Sequence, residues 1–481
     1  MHHTLLIATL VLLSSVTATL PTDVTLVSNA LSGHSAPGNG SESYLGWTAQ
    51  PSGRGTINII WDSCFTIFLC CWTALCVNVP PPQWTLSKRV RRKPLLFCVG
   101  ILAPEFLLML ALAQWVSARR SVKEFRELGY PKWSMKHAFF ADMGGFVLHD
   151  PSWVPFPLNA KQVHYLVAEG YLPFSTVGID DRMIEDKNKG DAIARLIAVF
   201  QILWFTLNIL GRAIQHLAIT TLELTTLSFI CCSLGTWFFW SPKPKDVGIA
   251  ITLEPNARIS DILVRAGDIA RNPYKSTPLD FVGAESLSSV SQLYWAYGMT
   301  FLWKAGIKLH TGRRPIDKIP DAHFPGLQLF GVAVFAPLSL ISVAIPVVGS
   351  NFDFPTTVER ILWRIASVTM IVYITVVCLL DLGFRRRILN GIALSRQRLL
   401  STEHSAKKFD RSLSRFRYNS PDHDPEVILP VRIVVFTGAI LGLLYSVARG
   451  YVLLEDFINL RKLPASAYQT VNWSTFIPHI W

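Results

Sequence analysis

The chain has 481 residues, half of them hydrophobic and only 16% charged, against about 25% charged in ordinary soluble domains. Its formal net charge is +12, but the basic residues gather between apolar runs. No zinc-finger, RRM or KH pattern accompanies them, so the composition argues against nucleic acid as a partner.

Residues 5–16 form an apolar run of signal-peptide length, and Val16-Thr17-Ala18 offers small residues for cleavage. The segment 1–18 reads as a signal peptide, or as a signal anchor if it is retained. Residues 19–55 are rich in Ser, Thr, Gly and Asn, lack periodicity, and read as a flexible lumenal tail. Asn39-Gly40-Ser41 is a glycosylation sequon, and Asn472-Trp473-Ser474 is a second near the other end.

Six apolar stretches follow, at 56–79, 192–214, 222–240, 327–348, 361–384 and 428–454. Each meets or nearly meets the roughly 20 helical residues that cross a bilayer core about 30 Å thick. The predicted fold is therefore an all-α, polytopic transmembrane helix bundle with six crossings. The loops at 88–93, 119–136, 243–271 and 385–398 carry clusters of Lys and Arg, whereas the turns at 215–221 and 349–357 carry none. The positive-inside rule puts the basic loops in the cytosol, against anionic lipid headgroups, and both termini outside.

One apolar segment, 94–116, has basic clusters on both sides and Ala103-Pro104-Glu105 in its middle. Proline removes a backbone donor and bends a helix, and a mid-bilayer Glu is costly. A re-entrant or interfacial hairpin is expected, its Glu105 reaching water, Arg119 or Arg120. The rival is a seventh helix with Glu105 paired inside the bundle. The first transmembrane unit thus spans 56–116. The remaining units are a helical cytosolic module at 117–191, a hairpin at 192–240, a second module at 241–326, a hairpin at 327–384, a basic and partly flexible loop at 385–427, the last helix at 428–454 and a lumenal tail at 455–481.

Thr220-x-x-Glu223 and Thr356-x-x-Glu359 precede apolar runs in the capping-box pattern, which gives both glutamates a structural role. Asn188-x-x-Asp191 offers a similar cap. Gln201, Asn208, Arg212 and Gln215 recur at helical spacing on one face, a stripe that should turn toward other helices or line a pocket. Asp62, Arg364 and Asp381 are its candidate partners, Asp381 reading more simply as a snorkelling helix end. Glu223 is the nearest acid to Arg212. Asp180, Asp181, Glu185 and Asp186 form an acidic cluster that could hold Mg²⁺ and a diphosphate, but a solvated helix start explains it better. His137, Asp142 and His149 match no ligand spacing, so no metal site is expected. There is no Walker A, dinucleotide fingerprint, HExxH or GxSxG, and neither a catalytic residue nor a cofactor is indicated.

Several strings occur together: Trp72-Thr73 with Asn78-Val79-Pro80, Ala103-Pro104-Glu105, Gln114-Trp115, the run from His137-Ala138-Phe139 to Gly144-Gly145-Phe146, Asp186-Lys187, Phe354-Pro355-Thr356, Leu362-Trp363-Arg364 and Pro478-His479-Ile480. In content and order they resemble a large family of multi-pass membrane proteins of filamentous fungi. The likeness covers nearly the whole mature chain and weakens at 327–348, where the family carries a His and a Trp absent here. It implies the membrane fold but no activity. Three functional classes stay open. A membrane scaffold or sensor demands least of the sequence. A membrane-embedded enzyme acting on an isoprenoid or lipid-like molecule, as in fungal secondary metabolism, would need the stripe and the acidic cluster to meet. A channel or transporter would need polar groups to continue across the bilayer.

Overall fold

The computed structural model describes residues 43–49, 53–186, 192–245, 247–267, 270, 274, 276–282, 294, 314–399 and 429–476, and all that follows concerns these. The signal segment, Asn39, the Asn188–Asp191 cap and most of the loop at 385–427 lie outside them. So do the side chains of Glu185 and Asp186.

The chain is mostly helical. A short strand β1 (Tyr44–Leu45) leads into α1 (Thr56–Ala74), then α2 (Leu86–Leu102) and α3 (Pro104–Glu127). A mixed segment follows, with α4 (Met135–Asp142), β2 (Phe146–Asp150), β3 (Trp153–Leu158), α5 (Ala160–Ala168), α6 (Phe174–Val177) and α7 (Asp181–Asp186). After these come α8 (Ala192–Ile214), α9 (Thr221–Phe239), β4 (Ile251–Leu253) and α10 (Ile259–Ala266). The last elements are α11 (Leu329–Val348), α12 (Thr357–Leu399), α13 (Leu429–Ile458) and β5 (Leu463–Pro464). Six helices are long and apolar enough to cross a membrane, within α1, α8, α9, α11, α12 and α13. They coincide with the six predicted stretches, because a run of about 20 apolar residues leaves few alternatives to a packed or membrane-embedded helix.

α9 is the central helix, 67% buried against 22% for α8. It packs on α1, α3, α11 and α13. Thr220 caps its start as the sequence predicts: the Thr220 hydroxyl accepts from the Glu223 N–H at 3.3 Å, and a Glu223 carboxylate oxygen accepts from the Thr220 N–H at 2.8 Å. At α12 only half of the box forms. The Glu359 N–H donates to Thr356 at 3.3 Å, while the Glu359 carboxylate turns to Arg461.

The segment at 94–116 is not one straight helix. α2 and α3 meet at Ala103 with a bend of 114°. Pro104 sits in the first turn of α3, where its missing N–H costs nothing. Gly100 lets the bend close, since a Cβ there would lie 2.6 Å from Leu107 Cδ1. Glu105 at the tip meets Ser342 midway along α11, so the bend lies inside the bundle.

The loops differ from the helical modules expected. A three-stranded sheet runs in the order β3-β2-β4, with β2 and β3 antiparallel and β2 and β4 parallel. The Phe146↔Ile251 register joins segments that the sequence reading assigned to separate modules. Asp150 fastens the same join, accepting from the Ile259 N–H at 2.7 Å. The tail at 19–55 is likewise not free along its whole length: Tyr44 and Leu45 pair antiparallel with Pro464 and Leu463. One hydrophobic core runs from Leu108 and Val343 in the bundle to Phe125, Phe146 and Val163 beside the sheet.

Candidate functional site: a buried polar seam

Tyr445, Arg449 and Asp456 share one face of α13, at heptad-like spacing, and Asn459 continues it in the 3-10 turn that follows. Thr221, Thr225, Ser228 and Cys232 do the same on α9, which packs against it. All eight are buried, and Arg449 and Asp456 have no exposure at all. Glu105 joins them from the tip of the α2–α3 bend. It lies in the first turn of α3, at the positive end of the helix dipole. Its carboxylate accepts from the Tyr445 hydroxyl at 2.5 Å and from the Ser342 hydroxyl at 3.3 Å. Ser342 lies 3.0 Å from the Ser228 hydroxyl and accepts from Cys232 at 3.1 Å.

Arg449 Nη2 stands 3.9 Å from Glu105, close enough for an ion pair but too far for a hydrogen bond. Nη1 reaches only the Met370 sulfur, at 3.8 Å, and the guanidinium covers the Phe229 ring at 4.8 Å. Nε and Nη2 have no hydrogen-bond partner. Seven residues further on, Asp456 senses the Thr221 and Thr225 hydroxyls and the Arg449 charge, yet neither carboxylate oxygen is within hydrogen-bonding geometry of a donor. Buried charges are normally paired and saturated, so these two are unusual. Between them on the same face of α13 lies Val452, fully buried.

The seam continues at both ends. The Tyr445 ring packs on Tyr373 of α12 at 4.7 Å, and Asp381, two turns on, is 1% exposed. Asp381 is therefore a buried group rather than the snorkelling end expected. At the other end, a crevice lined by Ala218, Thr220, Phe352, Asp353, Asn459 and Leu463 opens beside Asn459. Helical rise gives about 21 Å from Tyr445 to Asn459 and ~12 Å from Tyr373 to Asp381, together comparable with a hydrocarbon core of about 30 Å.

Glu105 corrects its expectation. It is 2% exposed and meets neither Arg119 nor Arg120, but is paired inside the bundle as the rival reading had it. Arg120 instead binds Glu124 at 2.8 Å, and Arg119 covers Trp115. The predicted stripe on α8 does not converge. Gln201 donates to Thr66 of α1 at 3.0 Å, whereas Asn208 returns to the Trp204 carbonyl of its own helix. Gln215 holds the tail through the Asn472 carbonyl at 2.8 Å. Arg212 donates to the Ala218, Ser466, Ala467 and Gln469 carbonyls at 2.6–3.1 Å. Its expected partner Glu223 pairs with Arg54. Arg364 binds the Ser350 carbonyl at 3.0 Å. The Asp62 backbone carbonyl takes the Thr66 hydroxyl at 2.5 Å.

Within the acidic cluster, Asp181 accepts from Ser134 at 2.8 Å and lies 3.1 Å from His137 Nδ1, while Asp180 accepts from the Arg182 N–H at 3.1 Å. Burial holds the His137 imidazole below its usual range, against the opposing Ile179 carbonyl and Asp181. Among the described residues no cluster of His, Cys, Asp or Glu has a metal-holding arrangement. Asp142 caps α5 by accepting from the Ala160 N–H at 2.9 Å, and burial pushes its carboxyl up to about 6. Nearby, Lys243 donates to Gln114 at 2.9 Å; burial holds its ammonium low, against the pull of Cys76, Asp321 and Asp142.

The sequence reading missed Arg449 and Asp456. The signal was present: Tyr445, Arg449, Asp456 and Asn459 are spaced to share a helix face. Arg449 lies within the stretch assigned at 428–454, and Asp456 lies two residues beyond it.

The class this defines is a mostly helical protein with six helices fit to cross a membrane and a polar seam among them. A family of unknown function, DUF8562, matches residues 26–264 and 341–480, and the chain belongs to that family. Every residue of the seam named above falls within the matched stretches. Comparison with curated proteins and with solved structures finds no match.

Proposed function

We propose that this is a multi-pass integral membrane protein of the secretory pathway or plasma membrane, related to the fungal proteins its motifs resemble. We read it as a gated channel or transporter for a small charged species. The β1–β5 pairing supports an even number of crossings, because it brings together the segments before α1 and after α13. Six full crossings satisfy that parity and the charge of the loops, with both termini lumenal or extracellular. The α2–α3 bend then enters and leaves on the cytosolic side, and the basic loops lie on anionic headgroups. Asn472 is exposed, in keeping with a lumenal sequon.

The observation that carries the transport reading is the unsaturated Arg449 beside Glu105, in line with Asp456. A scaffold has no use for it. Replacing a buried ion pair by apolar side chains is often neutral or stabilising by about 1–4 kcal/mol, so bundle stability alone does not call for charges there. Intramembrane ionisable residues that face a bundle interior typically mark ion paths and proton relays.

The test is flux through the full-length protein in phosphatidylcholine–phosphatidylglycerol vesicles, read with dyes or tracers for protons, sodium, potassium and chloride. Flux of one species above empty vesicles, lost in Arg449→Met, is expected. Absence of flux for all four would return the protein to the scaffold class.

A further inference from the structure

We infer that the species carried along the seam is the proton, passed between two carboxyl stations, Asp456 and Glu105, with Arg449 as the counter-ion that moves between them. This rests on the transport reading above and narrows it to one cargo.

Charge selects the cargo. A guanidinium keeps its proton in a protein, so Arg449 is a permanent positive charge on the path and opposes metal cations. Glu105 on one side opposes anions, and Asp456 on the other does so once it has given up its proton. A proton escapes both barriers because it neutralises the carboxylate it joins. Hydroxyls and thiols that can relay a proton stand at both stations. Glu105 faces Tyr445 and Arg449 from α13, Ser342 from α11, Cys232 from α9 and Tyr373 from α12. Asp456 faces Arg449 and Glu455 from its own helix, Thr221 and Thr225 from α9 and Cys64 from α1.

The two stations are unlike. Glu105 has a counter-ion at 3.9 Å and two hydroxyl donors, which suits a carboxylate. Asp456 is wholly buried, with the Thr221 and Thr225 hydroxyls beside it and no counter-ion at ion-pair distance, a setting that favours the uncharged acid. On this reading Asp456 is the station that gives up the proton and Glu105 the one that receives it. Val452 and the Phe229 ring beneath Arg449 stand between the stations, so they communicate only when that collar opens and admits water.

One cycle moves one proton. The Asp456 O–H bond breaks and its proton passes through water to a Glu105 oxygen, where a new O–H bond forms. Glu105 loses its attraction for Arg449, and the guanidinium turns to the Asp456 carboxylate just produced. Glu105 then releases the proton past Tyr445 and Tyr373 toward Asp381. Arg449 returns to Glu105 as Asp456 takes a new proton from the side of the Asn459 crevice. Nothing is oxidised or reduced, and the driving force is the proton gradient or membrane potential.

The experiment uses the full-length protein in the same vesicles, loaded with a pH-sensitive dye, with a potassium diffusion potential imposed through valinomycin. Proton entry above the leak of empty vesicles is expected for the wild type, with no sodium or chloride flux. Asp456→Asn and Glu105→Gln should each return entry to the leak. Sodium or chloride flux in place of protons overturns the proton inference and leaves the transport reading standing. No flux of any species overturns both. Full proton flux in a folded Asp456→Asn protein removes Asp456 from the path. A second measurement needs no variant. Dicyclohexylcarbodiimide reacts with protonated carboxyls in apolar surroundings, so it should label the Asp456 peptide, read by mass spectrometry, and stop proton entry. A labelled protein that bears no adduct at Asp456 overturns its assignment as the loaded station.

Discussion

Two arginines are buried among these helices, and they are held in opposite ways. Arg212, 2% exposed, donates to four backbone carbonyls and ties the α8–α9 turn to the tail at 466–469. Arg449, fully buried, has one distant acid, one sulfur and one ring, with two nitrogens left over. A saturated guanidinium is a fastening. Moving it would orphan every carbonyl it serves. An unsaturated one sits in a shallower well, so a change of charge nearby can redirect it. Bond saturation therefore separates the structural from the functional residue, where burial and charge do not.

The largest effect should come from breaking the fastening. Arg212→Leu strands buried carbonyls that lose a charged donor, and a loss of about 3–5 kcal/mol is expected. Thermal unfolding in detergent measures it. A wild-type melting temperature would mean that the tail contact adds nothing. Arg212→Lys should recover only part of the loss, since an ammonium cannot present the same planar fork to several carbonyls.

The seam should respond in the opposite sense. The double variant Glu105→Leu with Arg449→Met removes both charges at once. Its stability should equal the wild type's or exceed it by about 1–3 kcal/mol, while flux is lost. Arg449→Met alone leaves Glu105 unpaired and should be the less stable of the two. If the double variant unfolds as readily as Arg212→Leu, the contrast between fastening and switch fails.

A smaller, pH-dependent effect belongs to Asp142, at the end of α4 and outside the spanning helices. Asp142 is pushed up to about 6 by burial, above its ordinary 3.8. The native state then holds a proton that the unfolded chain has released, so between these values stability falls as pH rises. Above about pH 6 the penalty is complete. Asp142→Asn keeps the acceptor for the Ala160 N–H and should flatten that slope. The gain near neutral pH should be about 2 kcal/mol after allowance for screening at a half-buried position. Melting curves across pH 4 to 7 (in steps fine enough to resolve a one-proton transition) test it.

The sequence made the six helices legible because length and hydropathy act locally. It also made the α2–α3 break legible, since Pro104 and Glu105 both oppose a straight crossing. The Thr220–Glu223 cap was legible because its partners are three residues apart. What stayed hidden depends on distance along the chain. Glu105 finds Tyr445, Phe146 finds Ile251 and Tyr44 finds Pro464 only in three dimensions. The stripe on α8 was real in spacing, yet its members turn to a neighbouring helix, to their own backbone and to the tail. Arg449 was missed because a span average dilutes a single charge, and Asp456 because it follows the run.

The parallel pairing of β2 with β4 bears on how the protein is made. β4 can join β2 only after α8 and α9 have been synthesised and have returned the chain to the side it left. Until then β2 presents a bare edge of unpaired N–H and C=O groups. The sheet thus completes late, across a long sequence separation of the kind that slows folding. It completes only if the hairpin has gone in with the right orientation. A chain whose hairpin stalls would keep that edge open to chaperones, which makes this small sheet a record of whether the two helices between its strands have packed.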